Sequence, residues 1–434
     1  MALFFYNWLL RIFFPLLVFH YIRGRIVHKK YSRPVRERFG FFRIKLNPQA
    51  SSRILIHAVS AGETVAAQPM VKVLRREFPE AEIVFSNVTE TGYRRAKEII
   101  EADHFVFFPL DYRFSVERFL NIIKPSHVFI LETELWPNFL AECQNRNIPL
   151  AFINARISSH SFEKYSVFRP LFSPLIRTSL FYVQSQLDRE RVESLGGQKV
   201  EIAGNLKVDQ LAQNLSSPAR ERICAAFEDF ERPIILFGST HQIETKNCLD
   251  LIYSWQKEDF EASFIIAPRH LQFMDDYLKY AHNLSLSVIR KSAHRPPQDF
   301  EIMLVDTFGE LANLYEICTI AVIGGSFEPI GGHSILEPAL FGKPIIHGPH
   351  MENGKDLVST FEMAGASWKA QDFAELKSKV ELLVENPTLR LEIGHNAGLT
   401  LEKISGVAVS IFKDLTVKGF FQESTGNESL ENGL

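Results

Sequence analysis

The sequence has few cysteines, and none of them stands in a metal-binding or disulfide pattern. Four occur among 434 residues, at Cys143, Cys224, Cys248 and Cys318. No Cys-x-x-Cys pair or His-rich spacing accompanies them, so neither a zinc site nor a disulfide framework is expected. The main body of the protein is therefore predicted to work in a reducing, cytoplasmic compartment.

An excess of charge of either sign is also missing. The 48 Lys and Arg residues and 51 Asp and Glu residues give a net charge of −3. This excludes a protein whose function rests on bulk electrostatic attraction to nucleic acid. There is no internal repeat and no low-complexity tract. With 46% hydrophobic residues, the chain is long enough for two domains that each have a core.

The N-terminus departs from this average composition. Residues 2–22 are nearly all apolar, with Asn7, Arg11 and His20 as the exceptions, and residues 23–38 carry seven Lys or Arg against Glu37. About 20 apolar residues can span a bilayer, but Arg11 would cost roughly 2.5–3.5 kcal/mol near the centre. We expect an uncleaved anchor that spans the membrane or lies in its interface, with the body held on the cytoplasmic side. A buried helix of a soluble protein is the alternative.

From Arg53 onward, short apolar runs alternate with amphipathic helical patterns, which predicts an α/β fold with parallel sheets. The expected architecture is two Rossmann-like doubly wound domains that face each other across a cleft, with ligands at the carboxyl ends of the strands. Helices are predicted at 65–78, 114–123 and 163–177. The predicted strands are 54–59, 83–86, 104–108, 128–132, 150–154 and 181–185, then 234–238, 263–267, 286–290, 302–306, 320–323 and 344–347.

The domain boundaries follow from these runs and from the polar stretches between them. Residues 1–38 form the anchor and its basic flank, and residues 39–205 form the first domain. A polar, Pro-containing linker is predicted at 206–232 and the second domain at 233–422. Residues 423–434 are a polar tail, predicted to be disordered.

Two acidic motifs follow strands of the first domain. Ser60-Ala-Gly-Glu63 comes directly after the first strand, where Glu63 is placed to act as a general base towards a hydroxyl group. Ser60-x-x-Glu63 also has the spacing of a capping box, so a purely structural role of Glu63 stays open. Gly62 in the first helical turn suggests close approach of another group. The second motif holds Glu132 and Glu134 beside Trp136, which suits hydroxyl-rich ligands unless Trp136 is simply core.

Polar and glycine-rich turns converge at strand ends of the second domain. A glycine-lined turn joins the strand at 320–323 to a helix predicted to begin at Ser334, and such a turn is suited to hold a phosphate. The planar guanidinium of Arg269 can donate two parallel hydrogen bonds to a phosphate or carboxylate. Ser334-x-x-Glu337 fits a capping box, so Glu337 is a structural residue, a nucleotide ligand or both. The neighbouring strand ends add Ser239-Thr240-His241, Pro268 with His270, and Phe308-Gly309-Glu310.

In this order the motifs resemble one family, the 3-deoxy-D-manno-oct-2-ulosonic acid (Kdo) transferases of lipopolysaccharide synthesis, which are GT-B glycosyltransferases. The resemblance covers nearly the whole chain, including the N-terminal anchor. Ser334 stands where the family usually has Asn, and Gln-Ile-Glu244 stands where a Gly and two acids are common. The motifs are Ser60-Ala-Gly-Glu63, Phe108-Pro-Leu-Asp111, Glu132-Thr-Glu-Leu-Trp-Pro-Asn138, Asn154-Ala-Arg156, Gly204-Asn-Leu-Lys207, Ser239-Thr-His241, Ala267-Pro-Arg-His270, Asp306-Thr-Phe-Gly-Glu-Leu311, Gly324-Gly-Ser326, and Gly331-Gly-His333 with Leu336-Glu-Pro-Ala339.

The resemblance implies that Kdo passes from CMP-Kdo to the lipid A precursor, lipid IVA, at the inner membrane, with inversion. Glu63 would be the catalytic base. No metal or other cofactor is expected, in agreement with the absence of an Asp-x-Asp pair. A sugar-nucleotide epimerase of GT-B shape and a non-catalytic membrane scaffold are the rival classes. The implied CMP-binding residues are Pro268, Arg269, Phe308, Gly309, Glu310, Ser334, Ile335, Leu336 and Glu337, and the supporting residues are Ser60, Gly62, Glu132, Glu134, Ser239, Thr240, His270, Gly325, Ser326, Gly332 and His333.

Overall fold

The chain folds into two units, each built around a parallel sheet of seven strands. The structure is a computed structural model and describes residues 1–27, 35–211, 218–227, 230–293 and 300–422. The first unit comprises residues 1–210 together with the C-terminal segment from Gly406, and the second comprises Leu211–Ser405. The α/β class predicted from the sequence is confirmed.

The sheet of the first unit has the order β3-β2-β1-β4-β5-β6-β7, and all neighbouring strands are parallel. Its strands are β1 (Arg53–Ala58), β2 (Glu82–Asn87), β3 (His104–Phe107), β4 (His127–Leu131), β5 (Leu150–Ala155), β6 (Leu180–Val183) and β7 (Lys199–Ile202). Its helices are α1 (Ala2–Val27), α2 (Ala61–Glu77), α3 (Glu90–Ile99), α4 (Arg113–Ile123), α5 (Pro137–Asn145), α6 (Ser159–Val167), α7 (Arg169–Ile176), α8 (Gln186–Leu195) and α9 (Lys207–Leu211), whose last residue belongs to the second unit.

The sheet of the second unit has the order β10-β11-β9-β8-β12-β13-β14, again with parallel neighbours. Its strands are β8 (Ile234–Thr240), β9 (Ser263–Pro268), β10 (Val288–Arg290), β11 (Ile302–Leu304), β12 (Ile320–Ile323), β13 (Ile345–His347) and β14 (Ser367–Lys369). Its helices are α10 (Pro218–Ala226), α11 (Gln242–Lys257), α12 (Met274–Asn283), α13 (Leu311–Ile317), α14 (Leu336–Leu340), α15 (Lys355–Met363), α16 (Phe373–Glu385) and α17 (Pro387–Ile404).

The central strands are apolar on both faces because helices cover both sides of each sheet. Every residue of β2, β4 and β5 is buried, as is every residue of β12. All twelve predicted strands are present. The sequence missed β7 and β14, since both are short and lie at sheet edges, where exposed polar side chains interrupt the apolar pattern.

The predicted helix at 163–177 is two helices, α6 and α7, which meet at Phe168. Pro170 lies in the first turn of α7, where its missing N–H costs nothing, but its ring prevents one continuous helix from running through this position. The amphipathic pattern continues across the break, so the pattern alone did not reveal it.

The C-terminal helix α18 (Val407–Val417) returns to the first unit, whereas the sequence predicts a second domain that runs to residue 422. Val407, Ile411 and Leu415 are buried in the core of the first unit. The carboxylate of Asp209 accepts hydrogen bonds from the backbone N–H groups of Gly406, Val407 and Ala408, at 2.7, 3.2 and 2.8 Å. This cap fixes the start of α18 beside the first unit.

The N-terminal helix α1 forms over the apolar segment, as expected. Its first half packs on the first unit: the Tyr6 hydroxyl donates to Asp111 Oδ2 at 2.9 Å, and Asn7 Nδ2 donates to Asn138 Oδ1 at 2.9 Å. Within the part of the chain that the structure describes, no helix is long and apolar enough to cross a membrane. The interpretation of α1 as a spanning anchor is therefore not supported, and a membrane-associated helix stays a prediction.

Candidate active site

In each sheet the strand order reverses between two central strands, and this is where ligands bind in doubly wound folds. The reversal lies between β1 and β4 in the first unit and between β8 and β12 in the second. The Glu63 motif follows β1, and Glu132 and Glu134 follow β4. In the second unit Ser239-Thr-His241 ends β8, and Gly324 and Gly325 follow β12. The predicted motifs thus occupy the reversal point of each sheet.

Glu63 is buried at the start of α2, with 7% of its surface exposed. Its Oε1 accepts a hydrogen bond from the Ser60 hydroxyl at 2.7 Å, and its Oε2 accepts one from the Val59 N–H at 2.7 Å. Ser60 in turn accepts from the Glu63 N–H at 3.3 Å. The capping interpretation is therefore confirmed. It does not exclude a chemical role, because a hydroxyl donor on Oε1 can rotate away.

Burial raises the pKa of Glu63 above its ordinary value, against the hydrogen bonds from Ser60 and Val59 and with the help of the Glu132 charge. A carboxylate with a raised pKa is a stronger base than a surface one. Gly62 is exposed, and a Cβ atom placed there would meet only Ser60 Oγ, at 3.9 Å. No other group of the described chain lies close to Gly62, which leaves the turn open to an outside molecule.

Glu132 and Glu134 lie near Glu63, and the charge of Glu132 acts on both of the other carboxylates. Burial raises the pKa of Glu134 to about 7, and the charges of Glu63 and Glu132 add to the effect. Glu132 adopts a left-handed backbone with φ 56°, which is uncommon for a residue other than glycine and marks a constrained turn. Residues with this kind of strain cluster at functional sites.

Buried polar residues tie the other motifs of the first unit together. Asp111 Oδ2 and Oδ1 accept from the N–H groups of Asn138 and Phe139 at 2.9 and 3.0 Å, which caps α5 and joins two of the motifs. Burial raises the pKa of Asp111 to about 7 in spite of these bonds. Asn154 Oδ1 accepts from the Leu206 N–H at 3.0 Å, joining another two motifs. The oxygens of Asp111 and Asn154 hold the framework, whereas the buried Asn154 Nδ2 has no hydrogen-bond partner among the described residues.

Glu244, noted in the sequence only as a retained acid, holds the donor-side turns together. The residue is 1% exposed. Its Oε2 accepts from the His241 N–H at 2.9 Å and from the Gly325 N–H at 2.6 Å, and its Oε1 accepts from the Phe327 N–H at 2.9 Å. His241 is the N-cap of α11 and Glu244 stands at N3, so the bond from the His241 N–H is the glutamate half of a capping box. The spacing of N-cap and N3 indicates this helix-start bond in the sequence, whereas no local pattern indicates the bonds from Gly325 and Phe327.

The glycines of the turn after β12 are required by close backbone approach. A Cβ atom on Gly324 would lie 2.6 Å from the Ser239 carbonyl, and one on Gly325, at φ +67°, would lie 2.8 Å from the His333 ring. Gly332 N–H donates to Gly325 O at 2.7 Å, which folds the two glycine motifs onto each other. Protein packing thus requires glycine at these two positions, and phosphate binding by the turn stays a prediction.

Histidine rings stand together above this turn. His241 Nε2 lies 3.0 Å from His333 Nε2, and the two rings are stacked. The His270 ring meets the His241 ring edge-on at 5.1 Å between centroids. Burial lowers the pKa of both His241 and His333. Two stacked neutral imidazoles can share one hydrogen bond and still present a donor or acceptor outward.

Three groups of the second unit carry no partner among the described residues. The Arg269 guanidinium is exposed and forms no ion pair with any residue that the structure describes. The Phe308 side chain is 84% exposed. Glu337 is half-buried, accepts no hydrogen bond from a described residue, and has its pKa raised by burial. A desolvated carboxylate without a partner is costly, so Glu337 is suited to accept hydrogen bonds from a ligand.

Other predicted donor residues have structural surroundings. Glu310 Oε1 pairs with Lys291 Nζ at 2.8 Å, and the Thr307 hydroxyl donates to Glu310 Oε2. Pro268, Ile335 and Leu336 are buried, so their side chains do not offer an exposed surface to a ligand. Gly309, at φ +81°, has open space where a Cβ atom would stand.

The expected capping box at Ser334 and Glu337 is wrong. Helix α14 begins at Leu336, two residues later than predicted, and Ser334 Oγ accepts only from the Leu336 N–H at 3.3 Å. Ile335 takes the N-cap position, and Glu337 and Pro338 stand in the first turn of the helix. Glu337 is freed from a capping role by this shift.

The remaining supporting residues stabilise the strand ends. Ser239 has a left-handed backbone with φ 59°. Thr240 Oγ1 lies 2.8 Å from Thr245 Oγ1, and the Ser326 hydroxyl donates to Ile323 O at 2.5 Å and accepts from Gly348 N at 2.7 Å. Over the described ranges, no group of three or more His, Cys, Asp or Glu side chains is arranged to hold a metal ion.

Two parallel-sheet α/β units with polar groups at both reversal points resemble the GT-B glycosyltransferases. A solved structure of UDP-GlcNAc 2-epimerase from Neisseria meningitidis bound to UDP-GlcNAc matches with a TM-score of 0.60, covering 84% of this chain and all of that one. At 15% identity, this likeness shows the fold alone.

Sequence comparison is more specific. A family model described as 3-deoxy-D-manno-octulosonic-acid transferase (kdotransferase) matches residues 33–210. The 3-deoxy-D-manno-octulosonic acid transferase of Haemophilus influenzae is 31% identical over 401 residues, covering 91% of this chain and 93% of its own. A probable mitochondrial 3-deoxy-D-manno-octulosonic acid transferase of Arabidopsis thaliana is also 31% identical, covering 81% of each chain. The chain belongs to the 3-deoxy-D-manno-octulosonic acid transferase family and is a glycosyltransferase.

Proposed function

We propose that this protein transfers Kdo from CMP-Kdo to a sugar hydroxyl of a lipid A precursor, lipid IVA, on the cytoplasmic face of the inner membrane. The observation that carries the proposal is Glu63: a buried carboxylate with a raised pKa, at the strand-order reversal of the first unit, in a chain of the Kdo transferase family. The donor and the acceptor follow from the family, and the roles of the residues follow from their surroundings.

In the proposed reaction the acceptor hydroxyl attacks the anomeric carbon of Kdo while the bond from that carbon to the phosphate oxygen of CMP breaks. Glu63 takes the proton of the hydroxyl, and CMP leaves with the electron pair. A single displacement of this kind inverts the anomeric configuration. The acceptor hydroxyl replaces the Ser60 hydroxyl at Oε1, while the Val59 N–H keeps the carboxylate oriented through Oε2.

The donor is proposed to bind in the second unit. Arg269 has a guanidinium without a described partner, and it would bind the phosphate of CMP and stabilise the charge that develops on departure. Glu337 would accept hydrogen bonds from ribose hydroxyls. The exposed Phe308 ring would pack on the nucleoside. The charge on Arg269 supports the further proposal that transfer needs no metal ion, and full activity in a chelator would test it.

The proposed reaction is tested by incubating the full chain with CMP-Kdo and a tetraacyl lipid A precursor, then weighing the lipid by mass spectrometry. We expect the lipid to gain the mass of one or more Kdo residues, with an equal amount of CMP released. An epimerase would change the sugar nucleotide with no lipid present and leave the lipid unchanged. A scaffold would leave both unchanged. Either of these results would overturn the proposal.

We further propose that α1 lies in the membrane interface. Tyr6 and Asn7 bind the first unit, so this side of the helix is not available to lipid. The opposite side presents Phe4, Phe5 and Trp8, which are 71%, 58% and 53% exposed. A helix with one side on protein and an apolar side outward fits an interfacial position.

Trp8 offers a direct test of this position. Lipids brominated close to the headgroup should quench the part of the fluorescence that is lost in Trp8→Phe, while lipids brominated near the chain ends should quench it weakly. Strong quenching from the chain ends would show that α1 inserts deeply and would contradict the interfacial placement.

A further inference from the structure

A large groove on the first unit is lined by residues to which the proposed reaction assigns no role. It has a volume of about 1300 Å³ and runs along β3, the edge strand of the sheet. The extended segment 40–45 forms another part of its lining, and residues of α3 and α4 complete it. Pockets for drug-sized ligands usually have about 300–1000 Å³. This groove therefore has room for a larger molecule.

The lining of the groove has an excess of positive charge that the chain as a whole does not have. Five Lys and Arg residues line it, against two carboxylates, although the net charge of the protein is −3. None of the five forms an ion pair with a carboxylate among the residues that the structure describes. Asp103, one of the two acids, is engaged by Arg75 at 2.8 Å. The five basic residues are Arg36, Arg43, Lys45, Lys97 and Arg118.

Apolar and aromatic surface lies directly beside these cations. The Arg118 guanidinium sits 3.9 Å from the centre of the Phe41 ring, which is 49% exposed, and Lys97 Nζ sits 5.3 Å from the Tyr93 ring. In segment 40–45 the side chains alternate: Phe41, Arg43 and Lys45 are exposed, while those between them are half-buried. The exposed edge is thus both cationic and apolar, which suits an amphiphile with an anionic head.

The groove also lies close to the N-terminal helix α1. Phe39, next to segment 40–45, packs against Phe14 of α1 at 6.0 Å between ring centroids and stacks on Phe114 at 5.9 Å. A molecule with acyl chains near α1 can therefore place its headgroup at the groove. This continuity favours a lipid of the bilayer over a soluble phosphate compound.

We infer that the β3 groove binds the phosphate headgroup of an anionic glycerophospholipid, such as phosphatidylglycerol, with Arg43 and Arg118 as its main cations. This binding does not depend on Kdo transfer, and it fixes the rotation of the first unit against the membrane surface. Headgroup phosphate is favoured over the carboxylates of an acidic protein because the aromatic rings and the volume also accommodate the start of the acyl chains.

The test uses the full chain in detergent, with native mass spectrometry to detect retained phosphatidylglycerol and flotation to measure partition into vesicles. The groove variant is Arg43→Glu with Arg118→Glu. The matched control is Arg94→Glu with Lys413→Glu, which changes the net charge equally at exposed positions outside the groove. We expect the groove variant to lose the bound lipid and to partition about tenfold more weakly into phosphatidylglycerol-containing vesicles, but not into pure phosphatidylcholine. The control should behave as the wild type.

Three results would overturn the inference. One is equal retention of phosphatidylglycerol by both variants. Another is equally tight binding of inorganic phosphate or glycerol 3-phosphate, which would show a site for free phosphate. The third is unchanged phosphatidylglycerol retention with a raised KM for the lipid acceptor, which would show that the groove serves the acceptor. Equal melting temperatures of the two variants establish that the groove variant is folded.

Discussion

The reversal points of the two sheets have the same topology but opposite chemistry. In the first unit, Glu63, Glu132 and Glu134 lie close together, and the principal one is buried and already hydrogen-bonded. The second unit instead has close-packed glycines, an exposed Arg269 guanidinium, and the Glu337 carboxylate, which has no hydrogen-bond partner among the described residues. Clustered carboxylates raise one another's pKa and suit proton transfer, whereas a free cation and open turns suit an anion. The same fold is thus fitted to two different tasks.

The comparison also separates buried acids that look alike. Glu63 and Asp188 both stand three residues after a capping serine, and each accepts from that serine hydroxyl at 2.7 Å. Glu63 also accepts a hydrogen bond from the Val59 N–H, and Asp188 accepts one from the Ile157 N–H. Only Glu63 lies at a reversal point with other carboxylates around it. Asp188 is therefore a natural control for the difference between a cap and a base.

The largest effect is expected for Glu63→Gln. This change should lower kcat by about 10²–10⁴-fold, the usual contribution of a general base, while CMP affinity measured by calorimetry stays at the wild-type value. Asp188→Asn, which weakens an equivalent cap, should leave kcat close to the wild type. Equal losses of transfer in both variants would show that Glu63 is only a cap.

Glu244→Gln should destabilise the second unit by about 3 kcal/mol, because three backbone N–H groups share its two carboxylate oxygens. Hydrogen exchange should show faster exchange at the Gly325 and Phe327 amides. Glu375→Gln, at an exposed helix start of the same unit, serves as the control. Unaltered protection at Gly325 would refute the idea that Glu244 holds the turn.

Arg269→Ala should weaken CMP-Kdo binding about 10–100-fold, as expected for a lost charge-assisted contact to a phosphate, with kcat at saturating donor much less affected. Arg290→Ala removes an exposed arginine that already pairs with Asp275, and it should change neither quantity. Equal donor affinity in Arg269→Ala and in the wild type would show that Arg269 is a surface residue that does not bind the donor.

Glu337→Gln should weaken CMP binding by a smaller factor, about 3–10-fold, because an amide oxygen still accepts a hydrogen bond. The same change should stabilise the free protein at neutral pH. Burial raises the folded-state pKa of Glu337, so its ionisation destabilises the fold as the pH rises above the unfolded-state value. The gain in melting temperature should therefore vanish at acid pH, below both values. A gain that persists there would show that ionisation of Glu337 is not its cause.

The smallest expected effect is a shift of the pH profile. Since burial raises the pKa of Glu63, kcat/KM should fall on the acid side at a higher pH than for an ordinary glutamate. The charge of Glu132 adds to this rise, so Glu132→Gln should move the acid limb to lower pH. A limb that does not move would place Glu132 too far from Glu63 to matter.

The sequence predicted the architecture well because its central strands are apolar on both faces, and few folds other than a covered parallel sheet produce that pattern. The edge strands β7 and β14 were not predicted, since their exposed residues interrupt the apolar pattern. In the site, the capping of Glu63 was readable from Ser60-x-x-Glu63. The same spacing failed at Ser334, where the helix begins only at Leu336. Contacts that join distant turns, such as Glu244 to Gly325, depend on tertiary structure and left no local signal.

The division of labour between the two units is tested most directly by measuring the mass of the lipid product as the CMP-Kdo concentration is raised, in Glu63→Gln and in Arg269→Ala. We expect Arg269→Ala to regain most of the wild-type transfer at high donor concentration, because it lacks only donor affinity. Glu63→Gln should remain inactive at every concentration, because it lacks the base. Recovery of Glu63→Gln, or failure of Arg269→Ala to recover, would contradict the assignment of proton transfer to the first unit and donor binding to the second.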